Sequence, residues 1–112
     1  MDKQLEIAAR YTLPSNVYER FVAGEEDPNL VEWTWIFEAL LHSGCDIVDR
    51  WAAVREPIDL RREALGFPPS QLDSLEDYLK RCDACDLKNP GTNVRVNHLA
   101  MIDSIKRELA KL

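Results

Sequence analysis

Two cysteines and one histidine have the spacing closest to that of a reactive or metal-binding site. Cys82 and Cys85 form a C-x-x-C motif, and twelve residues separate Cys85 from His98. Such a cysteine pair can supply half of a zinc site or act as a redox couple. A small metal- or thiol-dependent protein that uses Cys82, Cys85 and His98 is therefore one functional hypothesis.

The surroundings of the motif favour a structural role for it. No histidine or cysteine follows His98, so the remaining zinc ligand would have to come from far away in the sequence. The motif is expected at the end of a helix beside Asp83 and Asp86, and both features disfavour the thiolate. We expect Cys82 to be a small core residue, and we predict no catalytic residue, no metal ion and no cofactor.

His98 itself is expected in the core. On a helix it lies within the apolar stripe formed by Val94, Ile105 and Leu109. A single histidine in such a stripe is more often a hydrogen-bonded core residue than a ligand or a catalytic base.

The most apolar segment is residues 30–45, "LVEWTWIFEALLHSGC", which carries two tryptophans two positions apart. A helix advances about 100° per residue, so Trp33 and Trp35 point in very different directions. One face, about 140° wide, is uniformly apolar and carries Leu30, Trp33, Ile36, Phe37, Leu40 and Leu41. Val31, Trp35 and Ala39 lie roughly opposite. Glu38 and His42 lie beside that second face.

Two interpretations fit a helix that is apolar on two sides. The helix could be central, with neighbours packed on both faces. Alternatively, the second face could lie at the surface and bind a protein, because tryptophan is enriched among the residues that dominate binding energy. Under the second interpretation, the partner-binding residues are Trp35, Val31, Glu38 and His42, and Trp35 is less buried than Trp33.

Composition and charge exclude several classes of function. The chain has 112 residues, 20 acidic and 14 basic, and a formal net charge of -6. This balance argues against nucleic-acid binding and against anionic membrane surfaces, which need concentrated lysine and arginine. The charged amino-terminal segment lacks the apolar region of a signal peptide. We therefore predict a cytoplasmic protein with reduced cysteines.

The spacing of apolar residues and of helix-breaking residues predicts an all-α fold. We expect one helical domain over residues 1–112, an irregular orthogonal bundle of six or seven short helices. The predicted helices cover residues 3–11, 16–23, 27–42, 45–55, 57–66, 70–82 and 94–111. The predicted buried core contains Trp33, Phe37, Leu40, Trp51, Leu75, Leu79, Ile102, Ile105 and Leu109.

These features together favour a non-enzymatic protein-interaction domain of the inhibitor, immunity or adaptor type. The expected partner is a protein, for which a basic surface would complement the acidic residues. Self-association through the same face is a further expectation. Residues 59–81 could also form two helices joined by a tight turn, like a helix-turn-helix regulator, but the second helix would be acidic and poorly suited to DNA.

Overall fold

Six α-helices make up the computed structural model, which describes residues 1–112. They are α1 (Lys3–Thr12), α2 (Ser15–Val22), α3 (Leu30–His42), α4 (Val48–Ala64), α5 (Leu75–Lys88) and α6 (Val94–Leu109). The chain contains no strand, so the predicted all-α bundle is confirmed. None of the six helices combines the length and the apolar character needed to cross a lipid bilayer.

The hydrophobic core is built around α3. Ile36, Phe37 and Leu40 of this helix are fully buried. Helix α1 packs closely against α3 because Ala8 and Ala9, which are also fully buried, offer little side-chain bulk. The remaining core members come from five helices and two connecting segments: Ile7, Leu13, Phe21, Ala39, Ile47, Trp51, Ile102 and Ile105.

Five of the nine predicted core residues are buried: Phe37, Leu40, Trp51, Ile102 and Ile105. Trp33, Leu75, Leu79 and Leu109 are only half-buried, so their prediction as fully buried residues is wrong. Trp33 and Leu109 still pack against the core. The two α5 leucines lie outside it, since α5 packs mainly on α6 and buries only Cys82.

The boundaries of α3 follow from its capping residues. The sequence predicts a start at Asp27 and Pro28, but the helix begins after Asn29. The Asn29 side chain accepts a hydrogen bond from the Glu32 backbone N–H (2.8 Å), and Glu32 Oε1 accepts one from the Asn29 backbone N–H (3.0 Å). This reciprocal pair satisfies two backbone donors and selects Asn29 as the cap. Gly44, with φ of 87°, ends the helix as predicted.

Helix α4 passes through a proline. The sequence predicts one helix that ends at Arg55 and a second that opens at Pro57, yet residues 48–64 form one helix with Pro57 inside it. Proline removes one hydrogen bond from a helix interior. The strong helix formers after it, including Leu60 and Ala64, nevertheless continue the helix. Trp51 is the only buried residue of α4.

Helix α5 begins at Leu75, five residues after the predicted start at residue 70. The sequence places Ser70 at the start of this helix, but the cap is Ser74, whose hydroxyl accepts a hydrogen bond from the Asp77 backbone N–H (3.2 Å). Ser70 is instead held by its backbone N–H, which donates to Asp59 Oδ1 (2.8 Å). Residues 65–74 lie outside any helix, so the tight turn of a helix-turn-helix is absent.

Candidate functional site

The four predicted partner-binding residues separate into two pairs. Trp35 and Val31 are exposed, with 44% and 56% of their surface accessible. Glu38 and His42 are buried, with 6% and 5% accessible, so their placement at the polar edge of an exposed face is wrong. The predicted order of the two tryptophans is confirmed, because Trp33 is less exposed than Trp35.

The two halves of α3 differ in how far neighbouring helices cover them. From Ile36 to Leu40, every residue is buried, because α1, α5 and α6 all pack against α3. The amino-terminal half lacks such cover on one side, and this leaves Val31 and Trp35 accessible. Trp33 lies on the opposite side, where its ring stacks on Phe37 at 5.7 Å and meets Phe21 edge-on at 5.4 Å.

Trp35 forms a wall of an open cleft of about 400 Å³ between four helices. The side chains that give the cleft its chemistry are Tyr11 from α1, Trp35 and Glu38 from α3, Tyr78 from α5, and His98 and Met101 from α6. On its other side, Trp35 lines a second cleft of about 280 Å³ together with Val31 and Pro69. The Trp35 ring is thus a ridge between two depressions.

A pair of histidines lies beside the larger cleft. His42 Nδ1 and His98 Nε2 are 3.0 Å apart, and His42 Nε2 is 2.9 Å from the Asp73 carbonyl oxygen. A carbonyl can only accept, so His42 Nε2 carries a proton and donates it. In the tautomer in which Nε2 carries the only ring proton of His42, its Nδ1 accepts from the Nε2–H of His98. His98 Nδ1 is left as an acceptor with no hydrogen-bond partner in the chain.

Burial keeps His98 neutral. Its low accessibility, together with the neighbouring His42 ring, lowers the pKa of His98 from 6.5 to about 4. The Tyr78 ring lies against the His98 ring with centroids 4.0 Å apart, and this contact covers one face of the imidazole. His98 is therefore the hydrogen-bonded core residue that the sequence predicts.

Glu38 and His42 also hold the segment that leads into α5. They lie one turn apart on α3, and both bind the backbone of Asp73. Glu38 Oε1 accepts from the Asp73 N–H (3.1 Å), while the Asp73 carbonyl accepts from His42. The Asp73 carboxylate forms an ion pair with Arg81. These bonds fix the start of α5 and hence the position of Tyr78 in the cleft.

The buried Glu38 carboxylate has no ion-pair partner in the chain. Its Oε1 takes one hydrogen bond, its Oε2 takes none, and no lysine or arginine forms an ion pair with it. Burial raises the pKa of Glu38, and the carboxylate of Asp73 adds to that effect, while the hydrogen bond from the Asp73 N–H and the neighbouring His42 and Arg81 partly oppose it. Ionised side chains are rarely buried without a partner, because desolvation penalises the charged form. The wall of the cleft therefore contains a buried carboxyl group that has no ion-pair partner.

The C-x-x-C motif lies further along α5 and makes no hydrogen bond to the histidine pair. Cys82 is buried and Cys85 is half-buried, and both line a small cleft with Tyr78 and Arg81. Burial raises the pKa of Cys82, and Asp86 and Asp83 raise it further, so the predicted bias against the thiolate is confirmed. No group of three or more histidine, cysteine, aspartate or glutamate side chains is placed to hold a metal ion.

The sequence did not reveal the link between the two histidines or the part that Tyr78 plays. The available signal was that the only two histidines of the chain each lie on a largely apolar helix face. Neither imidazole hydrogen-bonds a hydroxyl or a thiol. No protein-family model, curated protein or solved structure matches the chain.

Proposed function

We propose that this protein is an interaction domain that binds a segment of a partner protein over the Trp35 ridge and its two clefts. The observation that carries the proposal is the exposure of Trp35, 44% of whose surface is accessible in the wall of a 400 Å³ cleft. A tryptophan ring buries a large apolar area at low entropic cost when a partner covers it.

The structure around Trp35 favours a preformed binding surface. The residues that follow Trp35 on α3 are buried from Ile36 to Leu40, so the helix cannot shift without disturbing the core. The hydrogen bonds of Glu38 and His42 with the Asp73 backbone hold the start of α5, which carries Tyr78 in the cleft wall. A fixed surface lowers the ordering cost of association, and more of the contact energy then appears as affinity.

Charge favours a partner with a basic surface. The net charge of -6 attracts a basic protein at long range, and this raises the association rate more than it raises the affinity. The acidic group in the cleft wall is Glu38, and no lysine or arginine of the chain forms an ion pair with it. The protein would act by occluding or scaffolding its partner, as inhibitors, immunity proteins and adaptors do.

The proposal is tested by selecting short random peptides, displayed on phage, against the immobilised protein. Enriched peptides are synthesised, and their dissociation constants are measured by calorimetry on the wild type and on Trp35→Ala. Loss of an anchoring tryptophan costs about 2 kcal/mol or more, which corresponds to about 30-fold weaker binding. Enriched peptides should show at least that loss.

Phe67→Ala is the matched control. Phe67 is another exposed aromatic residue, with 56% of its surface accessible, and it lines neither cleft beside Trp35. The control should bind the enriched peptides as the wild type does. Failure to enrich any peptide contradicts the proposal, and so does enrichment of peptides that bind Trp35→Ala as tightly as the wild type.

A further inference from the structure

The larger of the two clefts beside Trp35 is lined by aromatic rings and by hydrogen-bond acceptors that have no partner in the chain. Trp35 and Tyr11 supply exposed rings at its rim, and 44% of Trp35 is accessible. Deeper in the wall, Glu38 Oε2 and His98 Nδ1 have no hydrogen-bond partner in the chain. Neither group donates, because the carboxylate is an acceptor when ionised and His98 holds its proton on Nε2.

The ligand that such a lining recognises is a cation that also donates several hydrogen bonds. A guanidinium group stacks on aromatic faces and presents five donors in a planar fork that matches a carboxylate. An ammonium group has no plane to stack, and a neutral amide leaves the Glu38 charge unpaired. The cations nearest to Glu38 are already engaged, since Arg81 pairs with Asp73 and lies over the Tyr78 ring at 5.2 Å.

We infer that the Trp35 cleft takes an arginine side chain of the partner polypeptide, with its guanidinium group between the Trp35 ring and the Glu38 carboxylate. This inference rests on the proposed function and specifies the residue by which the partner is recognised. Glu38 is 94% buried, so solvent screens the new ion pair only weakly. The arginine supplies the ion-pair partner that Glu38 lacks within the chain, where Arg81 pairs with Asp73.

Binding should be stronger at neutral than at mildly acidic pH. Burial raises the pKa of Glu38, whereas a bound guanidinium stabilises the ionised carboxylate. Arginine peptides should therefore bind more tightly as the pH rises and Glu38 loses its proton. His98 does not share in this change at mildly acidic pH, because its pKa is about 4. The titratable and charged groups that surround Glu38 are His42, Asp73, Tyr78, Arg81, His98 and, across the cleft, Tyr11.

The test uses the enriched peptides, with one isosteric change in the peptide and one in the protein. Replacing the peptide arginine by citrulline keeps its shape and removes its charge. Glu38→Gln keeps an oxygen for the Asp73 N–H and removes the carboxylate charge. Each change alone should weaken binding about tenfold or more, as expected for a hydrogen-bonded charge pair. The citrulline peptide should bind Glu38→Gln and the wild type alike, and Glu38→Gln should lose the pH dependence.

The outcomes separate this inference from the proposed function. Arginine and citrulline peptides that bind the wild type equally, while Trp35→Ala still weakens both, would overturn the arginine site and leave the interaction surface standing. Enrichment of lysine in place of arginine would also overturn the site. Failure of every peptide to bind would overturn both proposals. The citrulline comparison uses only the wild-type protein, so it decides the question even if Glu38→Gln folds poorly.

Discussion

Replacing His98 by glutamine should remove a large part of the acid sensitivity of the fold. His98 is 8% exposed, and its pKa falls from 6.5 to about 4 on folding. Between these values the unfolded chain binds a proton that the folded chain does not, so the free energy of unfolding decreases as the pH decreases. The contribution is complete above the unfolded pKa and is lost by the time the pH reaches the folded pKa.

The size of the effect follows from the shift. Each pKa unit corresponds to about 1.36 kcal/mol, so the whole contribution is no more than about 3 kcal/mol, of which about 2 kcal/mol is lost between about pH 7 and about pH 4.5. Glutamine does not titrate, and its amide can still donate to His42 Nδ1. His98→Gln should therefore lose about 2 kcal/mol less than the wild type over this interval.

Urea denaturation of the two proteins at each pH measures this difference. Carboxylates elsewhere in the chain titrate equally in both proteins, so their contributions cancel in the comparison. A proton NMR titration provides a check, because His98 should show a midpoint well below that of an exposed histidine. Equal losses of stability in the wild type and in His98→Gln would refute the account of a neutral, buried histidine pair.

Three further predictions concern stability. Trp33→Ala should destabilise the fold by about 3 kcal/mol, because its ring packs on core aromatic residues. Trp35→Ala should change the stability by less than about 0.5 kcal/mol. Equal losses of stability in thermal unfolding would contradict the assignment of Trp33 to the core and of Trp35 to the surface. Pro57→Ala should stabilise the protein by about 1 kcal/mol or more by restoring a backbone donor inside α4, and a loss of stability would show that the helix does not pass through this position. Asp86→Ala should lower the melting temperature, because this carboxylate accepts hydrogen bonds from the first backbone N–H groups of α6, at Val94 (2.7 Å) and Arg95 (3.2 Å). An unchanged melting temperature would show that the cap is dispensable.

The sequence was informative wherever one helix alone determined the outcome. Helical periodicity placed Trp33 and Trp35 on opposite sides of α3, and their relative exposure followed. Gly44 and Gly66 marked the ends of α3 and α4, since both adopt the positive φ that glycine favours. The start of α3 was less predictable, because several residues before Leu30 are suitable caps and only the mutual bonds of Asn29 with Glu32 select one.

The site depends on contacts between helices, and these are not encoded in local spacing. His42 and His98 are 56 residues apart, and each was interpreted only within its own helix. Under the surface interpretation Glu38 is expected to be accessible, because a face that mixes apolar and ionisable side chains is less likely to be fully buried. It is buried because α5 and α6 cover the carboxy-terminal half of α3, and the Asp73 backbone gives it one hydrogen bond. The packing of neighbouring helices thus overrode the local polarity.

The most direct test of an interaction surface at Trp35 is an NMR titration of the indole N–H signals with an enriched peptide. The chain has three tryptophans, so three indole resonances are expected. The account predicts that the Trp35 resonance shifts strongly on saturation, while that of the buried Trp51 stays in place. Binding that leaves the Trp35 resonance unchanged would contradict the central claim.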